Sequence, residues 1–110
     1  MRKAMVAAGW AWAGAIVWLS LTPAPPDVGI DQGDKLGHFV AYGWLMFWFA
    51  QLYARRLPWA AGFVAMGIGL EFLQGALGYR TFDVLDMVAN TLGVLLGWGA
   101  ARVLPAIRAS

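Results

Sequence analysis

The sequence lacks cysteine, and it contains little charge, few serines and a single histidine. None of its 110 residues is cysteine, which excludes a disulfide scaffold, a thiol nucleophile and cysteine-based zinc sites. The serines are Ser20 and Ser110, and neither stands in a nucleophile motif, so a serine hydrolase is not expected. Charged residues make up 13% of the chain, against about a quarter in soluble domains. The composition is therefore not that of a water-soluble domain.

Apolar residues and glycine dominate what is present. Hydrophobic residues account for 61% of the chain and there are 14 glycines, a residue more frequent in membrane helices than in soluble ones. The mean hydropathy is +0.63. The net charge of +2 gives little reason to expect nucleic acid as a partner. The length allows one domain over residues 1–110, and we predict that it is an integral membrane protein.

Four apolar segments are long enough to cross a bilayer. A hydrocarbon core about 30 Å thick needs roughly 20 residues of helix. Pro23, Pro25 and Pro26 end the first segment, because proline cannot continue a helix. Pro58 fits the first turn of the third segment, and Gly78 fits a C-terminal cap after that segment. The pattern predicts an all-α bundle of four transmembrane helices, at about 4–21, 36–53, 57–77 and 84–104.

The distribution of Lys and Arg predicts an orientation. Arg2 and Lys3 followed by an apolar run resemble a signal peptide, but the proline-rich stretch after it offers no cleavage site, so we expect a retained helix. Two basic residues, Lys35 and Arg80, fall on one side of the predicted membrane. The positive-inside rule therefore places both termini in the cytoplasm. The larger basic set, on the termini side, is Arg2, Lys3, Arg55, Arg56, Arg102 and Arg108.

Polar side chains recur at helical spacing within the outer halves of segments two to four. Ionisable groups at the bilayer centre cost about 2.5–3.5 kcal/mol each on insertion scales, so they need partners or a purpose. The rise of 1.5 Å per residue places Glu71, Tyr42 and Asn90 about 9 Å deep, and His38, Asp86 and Gln74 about 3–4.5 Å deep. We predict a polar binding site in two tiers. Its candidate residues are Asp34, Lys35, His38, Tyr42, Glu71, Gln74, Arg80, Asp83, Asp86 and Asn90.

These residue types suit acid–base chemistry and anion binding. His38, Glu71 and Asp86 are the candidates for proton transfer, whereas Arg80 and Lys35 suit an anionic phosphate or carboxylate. His38 with Glu71 and Asp86 could also form a nitrogen-and-oxygen metal site, but a lone histidine without HxxxH or HExxH spacing is a weak signal for one. No metal and no cofactor are therefore expected. The alternative is that the polar groups simply join helices, at about 0.6 kcal/mol each on average.

A stripe of small residues marks one face of the fourth segment. Ala89, Gly93, Gly97 and Ala101 recur every four residues, a spacing that lets another helix approach closely. We expect this face to pack against the third segment within the bundle. The alternative is a homo-oligomer formed through the Gly93/Gly97 face.

Four stretches of the sequence together resemble the VanZ-like family of small bacterial integral membrane proteins. DKLGHFVAY at 34–42 resembles the DKxxHFxxY signature of that family. EFLQ at 71–74 and RTFDVLDMVANTLG at 80–93 resemble its ExxQ…RxxDxxDxxxNxxG signature, and LSLTP at 19–23 matches the end of its first helix. The family is named after a member associated with low-level teicoplanin resistance. The resemblance therefore implies a multi-pass protein of the bacterial cytoplasmic membrane and cell envelope.

Our leading hypothesis is a binding protein with an outward-facing polar pocket. Its ligand would be a membrane lipid or a lipid-linked wall precursor, held by its anionic headgroup. One alternative is an enzyme that acts on such a headgroup, and another is a structural partner of a larger membrane complex. A proton-linked carrier is disfavoured because the inner halves of the segments show no continuous relay.

Overall fold

The computed structural model describes residues 2–21, 33–78 and 84–103, and all its regular elements there are α-helices. The first, α1, covers Arg2–Leu21 and the second, α2, covers Gly33–Leu52. The third, α3, covers Leu57–Leu77 and the fourth, α4, covers Val84–Val103. The predicted all-α four-helix fold is confirmed. The largest difference in boundaries lies at the start of α2, which begins at Gly33 instead of Leu36.

The ends of α3 follow the predicted local chemistry. Pro58 stands in the first turn, where a missing backbone N–H costs nothing because no intrahelical partner exists there. Gly78 adopts φ 76°, and its N–H donates to the Gly75 carbonyl at 3.3 Å. This left-handed conformation strains any residue with a Cβ, so glycine closes the helix.

Three helices of the described chain are long and apolar enough to cross a membrane, namely α1, α3 and α4. Large apolar side chains remain exposed along them, such as Trp18 at 68% and Phe72 at 59%. Lipid would cover such side chains, whereas in water they would form an unusually large apolar surface. That α2 also crosses the membrane stays a prediction.

The helix α2 is the centre of the bundle. It contacts the three other helices, most extensively α4. Its side chains supply much of the core, and Leu45, Met46 and Phe49 are completely buried. A helix shielded by its neighbours meets lipid on little of its surface, so it tolerates more polar residues than they do.

The close approach of α2 and α4 depends on glycine. A Cβ at Gly97 would overlap the Gly43 carbonyl, and a Cβ at Gly93 would overlap the Phe39 carbonyl. The small-residue stripe therefore packs against α2. The expectation that it packs against the third helix is wrong, because the glycine that matches it, Gly43, lies on α2.

The end of the bundle that contains the α2–α3 connection is apolar and aromatic. The Phe49 ring packs on Trp59 at 4.8 Å and on Trp10 at 5.3 Å between ring centroids. Arg2 lies over the Tyr53 ring at 5.0 Å and donates to the Leu52 carbonyl at 2.9 Å. A cation placed at a helix C-terminus satisfies carbonyls that have no partner within the helix.

Candidate functional site

The opposite end of the bundle contains a set of buried polar side chains that we call the polar cluster. Glu71 is 1% exposed, although its side chain is ionisable, and Gln74, Asp86 and Asn90 are also buried. The cluster draws on α2, α3 and α4. It consists of His38, Tyr42, Glu71, Gln74, Asp86 and Asn90.

A hydrogen bond between α2 and α4 forms the best-defined contact of the cluster. His38 Nδ1 and Asn90 Oδ1 lie 2.9 Å apart. His38 is half-buried, whereas Asn90 is buried at 2% exposure. The side chain of Asn90 fills the space beside Gly67 of α3, where a Cβ would come within 2.7 Å of Asn90 Nδ2. Asn90 is therefore enclosed between α2 and α3.

Tyr42 lies on α2 beside His38. Its ring is parallel to the His38 ring, one helical turn away, with the ring centroids 6.5 Å apart. Tyr42 is near enough to Glu71 of α3 for the two side chains to interact electrostatically. His38, Tyr42, Glu71 and Asn90 thus lie near one another on three helices, and His38 and Asn90 bond directly.

Gln74 and Asp86 extend the cluster along α3 and α4. Gln74 follows Glu71 by three residues and Asp86 precedes Asn90 by four, so each shares a helix face with its neighbour. Gln74 Nε2 donates to the Ser20 carbonyl at 2.5 Å, which brings the end of α1 to the cluster. Asp86 is buried in the first turn of α4, where the helix dipole favours a carboxylate.

The predicted division into two tiers is wrong for His38 and Asn90, which bond to each other. The reason is the register of α2 against α4, which is set where Gly93 packs on Phe39 and Gly97 on Gly43. His38 lies five residues after Gly33, and Asn90 lies six residues after Val84. At 1.5 Å per residue these depths are nearly equal.

Four predicted site residues cannot be placed in the cluster from the structure. Asp34 and Lys35 belong to α2, but their side chains lie outside the described part of the chain. Arg80 and Asp83 also lie outside the described residues. Within residues 2–21, 33–78 and 84–103, no group of three or more His, Asp or Glu side chains is arranged to hold a metal ion.

The structure also brings in two residues that the sequence analysis did not place at the site, Ser20 and Gly67. Gly67 precedes Glu71 by four residues, so the helical spacing already puts both on one face. Ser20 takes part through its backbone carbonyl, and no side-chain pattern predicts which carbonyl of α1 will accept a bond.

Comparisons with known proteins find relatives that are uncharacterized. One, from Schizosaccharomyces pombe, is 38% identical over 85 residues, which cover 72% of this chain. The match spans 51% of the S. pombe protein, about half of its length. Another, from Saccharomyces cerevisiae, is 32% identical over 88 residues, covering 64% of this chain and 79% of that protein.

These two relatives are fungal, so they do not support the bacterial origin that the resemblance implied. No solved structure matches the chain significantly. The profile of the VanZ/LLP1 family matches residues 4–105, a range that includes every residue of the polar cluster and all of the four helices except the first two residues of α1. The chain therefore belongs to the VanZ/LLP1 family.

Proposed function

We propose that this membrane protein binds the headgroup of an anionic lipid, or of a lipid-linked wall precursor, with the anion on Arg80 and Lys35 and the rest of the headgroup at the polar cluster. The observation that carries the proposal is the burial of two carboxylates, Glu71 and Asp86, and two amides, Gln74 and Asn90, at one end of the bundle. Burying charge is costly, which makes an intramembrane ionisable residue a candidate functional group.

The cationic partners of the headgroup would be Arg80 and Lys35. Arg80 belongs to the segment that joins α3 to α4, and Lys35 belongs to the first turn of α2. By connectivity, both positions belong to the end of the bundle that contains the polar cluster. An arginine offers two parallel N–H donors to a phosphate, and a lysine supplies a point charge.

The proposal places this end of the bundle outside the cytoplasmic membrane of a bacterium, with both termini inside. In that orientation the cluster would meet wall precursors, which teicoplanin binds on the outer side of the membrane. An effect on glycopeptide susceptibility would then follow from headgroup binding. The larger number of basic residues at the other end of the sequence-predicted bundle supports this orientation.

A lipid-retention experiment tests the proposal. The purified protein is incubated with anionic phosphatidylglycerol or with zwitterionic phosphatidylcholine, and native mass spectrometry measures the lipid retained. We expect preference for phosphatidylglycerol, reduced about tenfold or more in Arg80→Ala because a charged hydrogen bond is lost. The control is Arg55→Ala, an exposed arginine in the α2–α3 connection at the opposite end.

Equal retention of the two lipids would contradict headgroup binding, as would equal losses in Arg80→Ala and Arg55→Ala. That result would leave the role of a structural partner in a larger membrane complex. The presence of His38 and the buried Glu71 at the same end of the bundle favours a second candidate, an acid/base enzyme acting on the headgroup. Turnover of phosphatidylglycerol by the purified protein that disappears in Glu71→Gln would distinguish the enzyme from a binding protein.

A further inference from the structure

We infer that Asn90 is a positioning residue that fixes the proton of His38 on Nδ1, so that Nε2 accepts a hydrogen bond from a hydroxyl of the bound headgroup. This inference rests on the proposed function and names the chemical class of its ligand, a hydroxyl-bearing headgroup such as a glycerol or a sugar.

The first step concerns the ring nitrogen that carries the proton. His38 Nδ1 and Asn90 Oδ1 lie 2.9 Å apart. A carbonyl oxygen only accepts, so the hydrogen of this bond is on Nδ1. In a neutral imidazole, one nitrogen donates and the other accepts. Nε2 therefore carries the lone pair of the ring.

The second step concerns what holds Asn90. Its side chain packs against Gly67, and a Cβ there would come within 2.7 Å of Nδ2 and 3.1 Å of Asn90 Cβ. Asn90 is buried, so its amide has little freedom to turn away from the histidine. Gly67 of α3 thus holds Asn90 of α4 in place, and Asn90 fixes which ring nitrogen of His38, on α2, carries the proton.

The third step concerns access and ligand chemistry. His38 is half-buried, unlike Glu71 and Asn90, so it is the most accessible of these three residues to a ligand. A lone pair on Nε2 selects a hydrogen-bond donor. The phosphate diester of a headgroup offers only acceptors, whereas the hydroxyls of a glycerol or sugar headgroup offer donors. The negative charge of the phosphate would be bound by Arg80 and Lys35.

Nitrogen NMR of histidine-labelled protein in micelles tests the positioning role. The chain has one histidine, so the spectrum contains one ring, and its couplings identify the protonated nitrogen in the neutral form. We expect the Nδ1–H tautomer to exceed the other about tenfold, and this preference to be lost in Asn90→Ala. Asn90→Asp keeps an acceptor oxygen and should retain it.

A matched pair of glycine variants controls for general disturbance of the bundle. Gly67→Ala should displace the Asn90 amide and reduce the Nδ1–H preference without removing Asn90. Gly69→Ala, two residues away on α3, meets nothing within 4 Å and should leave the spectrum unchanged. An Nε2–H tautomer in the parent protein, or an unchanged tautomer in Asn90→Ala, would overturn the inference.

Titration with three lipids tests the ligand class. Phosphatidylglycerol, whose headgroup has hydroxyls, should shift the Nε2 resonance, whereas phosphatidylmethanol, an anionic diester without a hydroxyl, and phosphatidylcholine should not. Equal shifts with phosphatidylglycerol and phosphatidylmethanol would overturn the hydroxyl contact, although anionic headgroup binding would stand. If the retention experiment with Arg80→Ala failed while the tautomer remained fixed by Asn90, headgroup binding and the hydroxyl contact would be rejected, and the positioning role of Asn90 would stand.

Discussion

At the scale of single residues, the polar cluster contains groups with different structural roles. Gln74 joins α3 to the end of α1 through a bond to the Ser20 carbonyl, a contact that helps hold the bundle together. Glu71 is as deeply buried, but it is a carboxylate next to Tyr42. A functional carboxylate is usually held at a cost to stability, so the two residues should respond differently to substitution.

Substitution of these two neighbours on α3 separates a binding role from a packing role. We expect Glu71→Gln to leave the thermal unfolding midpoint unchanged or to raise it, because it removes a buried charge while conserving shape. Gln74→Ala should lower the free energy of unfolding by about 1 kcal/mol, because the Ser20 carbonyl loses its donor. Both midpoints are measured in one detergent against the parent.

A clear fall in the midpoint of Glu71→Gln would assign Glu71 to helix packing and would weaken the proposed binding site. The Gln74→Ala variant shows whether the assay resolves the loss of one interhelical bond at the same burial. Its result is therefore needed to interpret an unchanged midpoint in Glu71→Gln.

At the scale of elements, the pairing of α2 with α4 decides the arrangement of the bundle. Gly93 and Gly97 of α4 admit the backbone of α2 at Phe39 and Gly43. This contact brings His38 close to Asn90, about one turn nearer the amino end of each helix. The site therefore depends on backbone proximity that side chains larger than hydrogen would prevent.

Alanine substitution on α4 tests this dependence. Gly97→Ala should destabilise the protein by about 1–3 kcal/mol, because the added methyl group overlaps the Gly43 carbonyl and the two helices would have to move apart to make room for it. Gly99→Ala, on the same helix, meets nothing within 4 Å and should be neutral or stabilising because alanine favours helix. Thermal unfolding in detergent measures both, and equal midpoints for the two variants would contradict the described packing of α2 on α4.

At the scale of the whole molecule, the question is how the bundle sits in the membrane. In the described part of the chain, three helices are apolar enough to cross it, and α2 lies between them as the most buried one. A position among three spans supports the prediction that α2 crosses as well. Four crossings would place both termini on one side and the polar cluster on the other.

Cysteine labelling in intact cells tests this topology, since the natural chain has no cysteine to interfere. We expect Lys3→Cys and Arg55→Cys to react with a membrane-impermeant maleimide only after permeabilisation. Asp27→Cys and Arg80→Cys should react in intact cells, because four crossings put both connections outside. Labelling of Arg55→Cys and Asp27→Cys from the same side would show that α2 does not cross.

The sequence by itself determined the all-α fold class, the number of helices and the helix faces on which most of the polar residues lie. Apolar length, proline and glycine at the ends, and helical spacing act within one segment, so they can be read without knowing the neighbours. The face that contains Glu71 and Gln74, or Asp86 and Asn90, follows from that spacing alone.

Only the tertiary structure decided which faces meet. The sequence shows two glycines on α4, but not that Gly43 of α2 is their match. It shows His38 and Asn90, but their bond depends on the register that the close approach of Gly93 to Phe39 sets between α4 and α2. The physical reason is that interhelical register is fixed by the sum of packing contacts across the bundle, and no single segment contains that information.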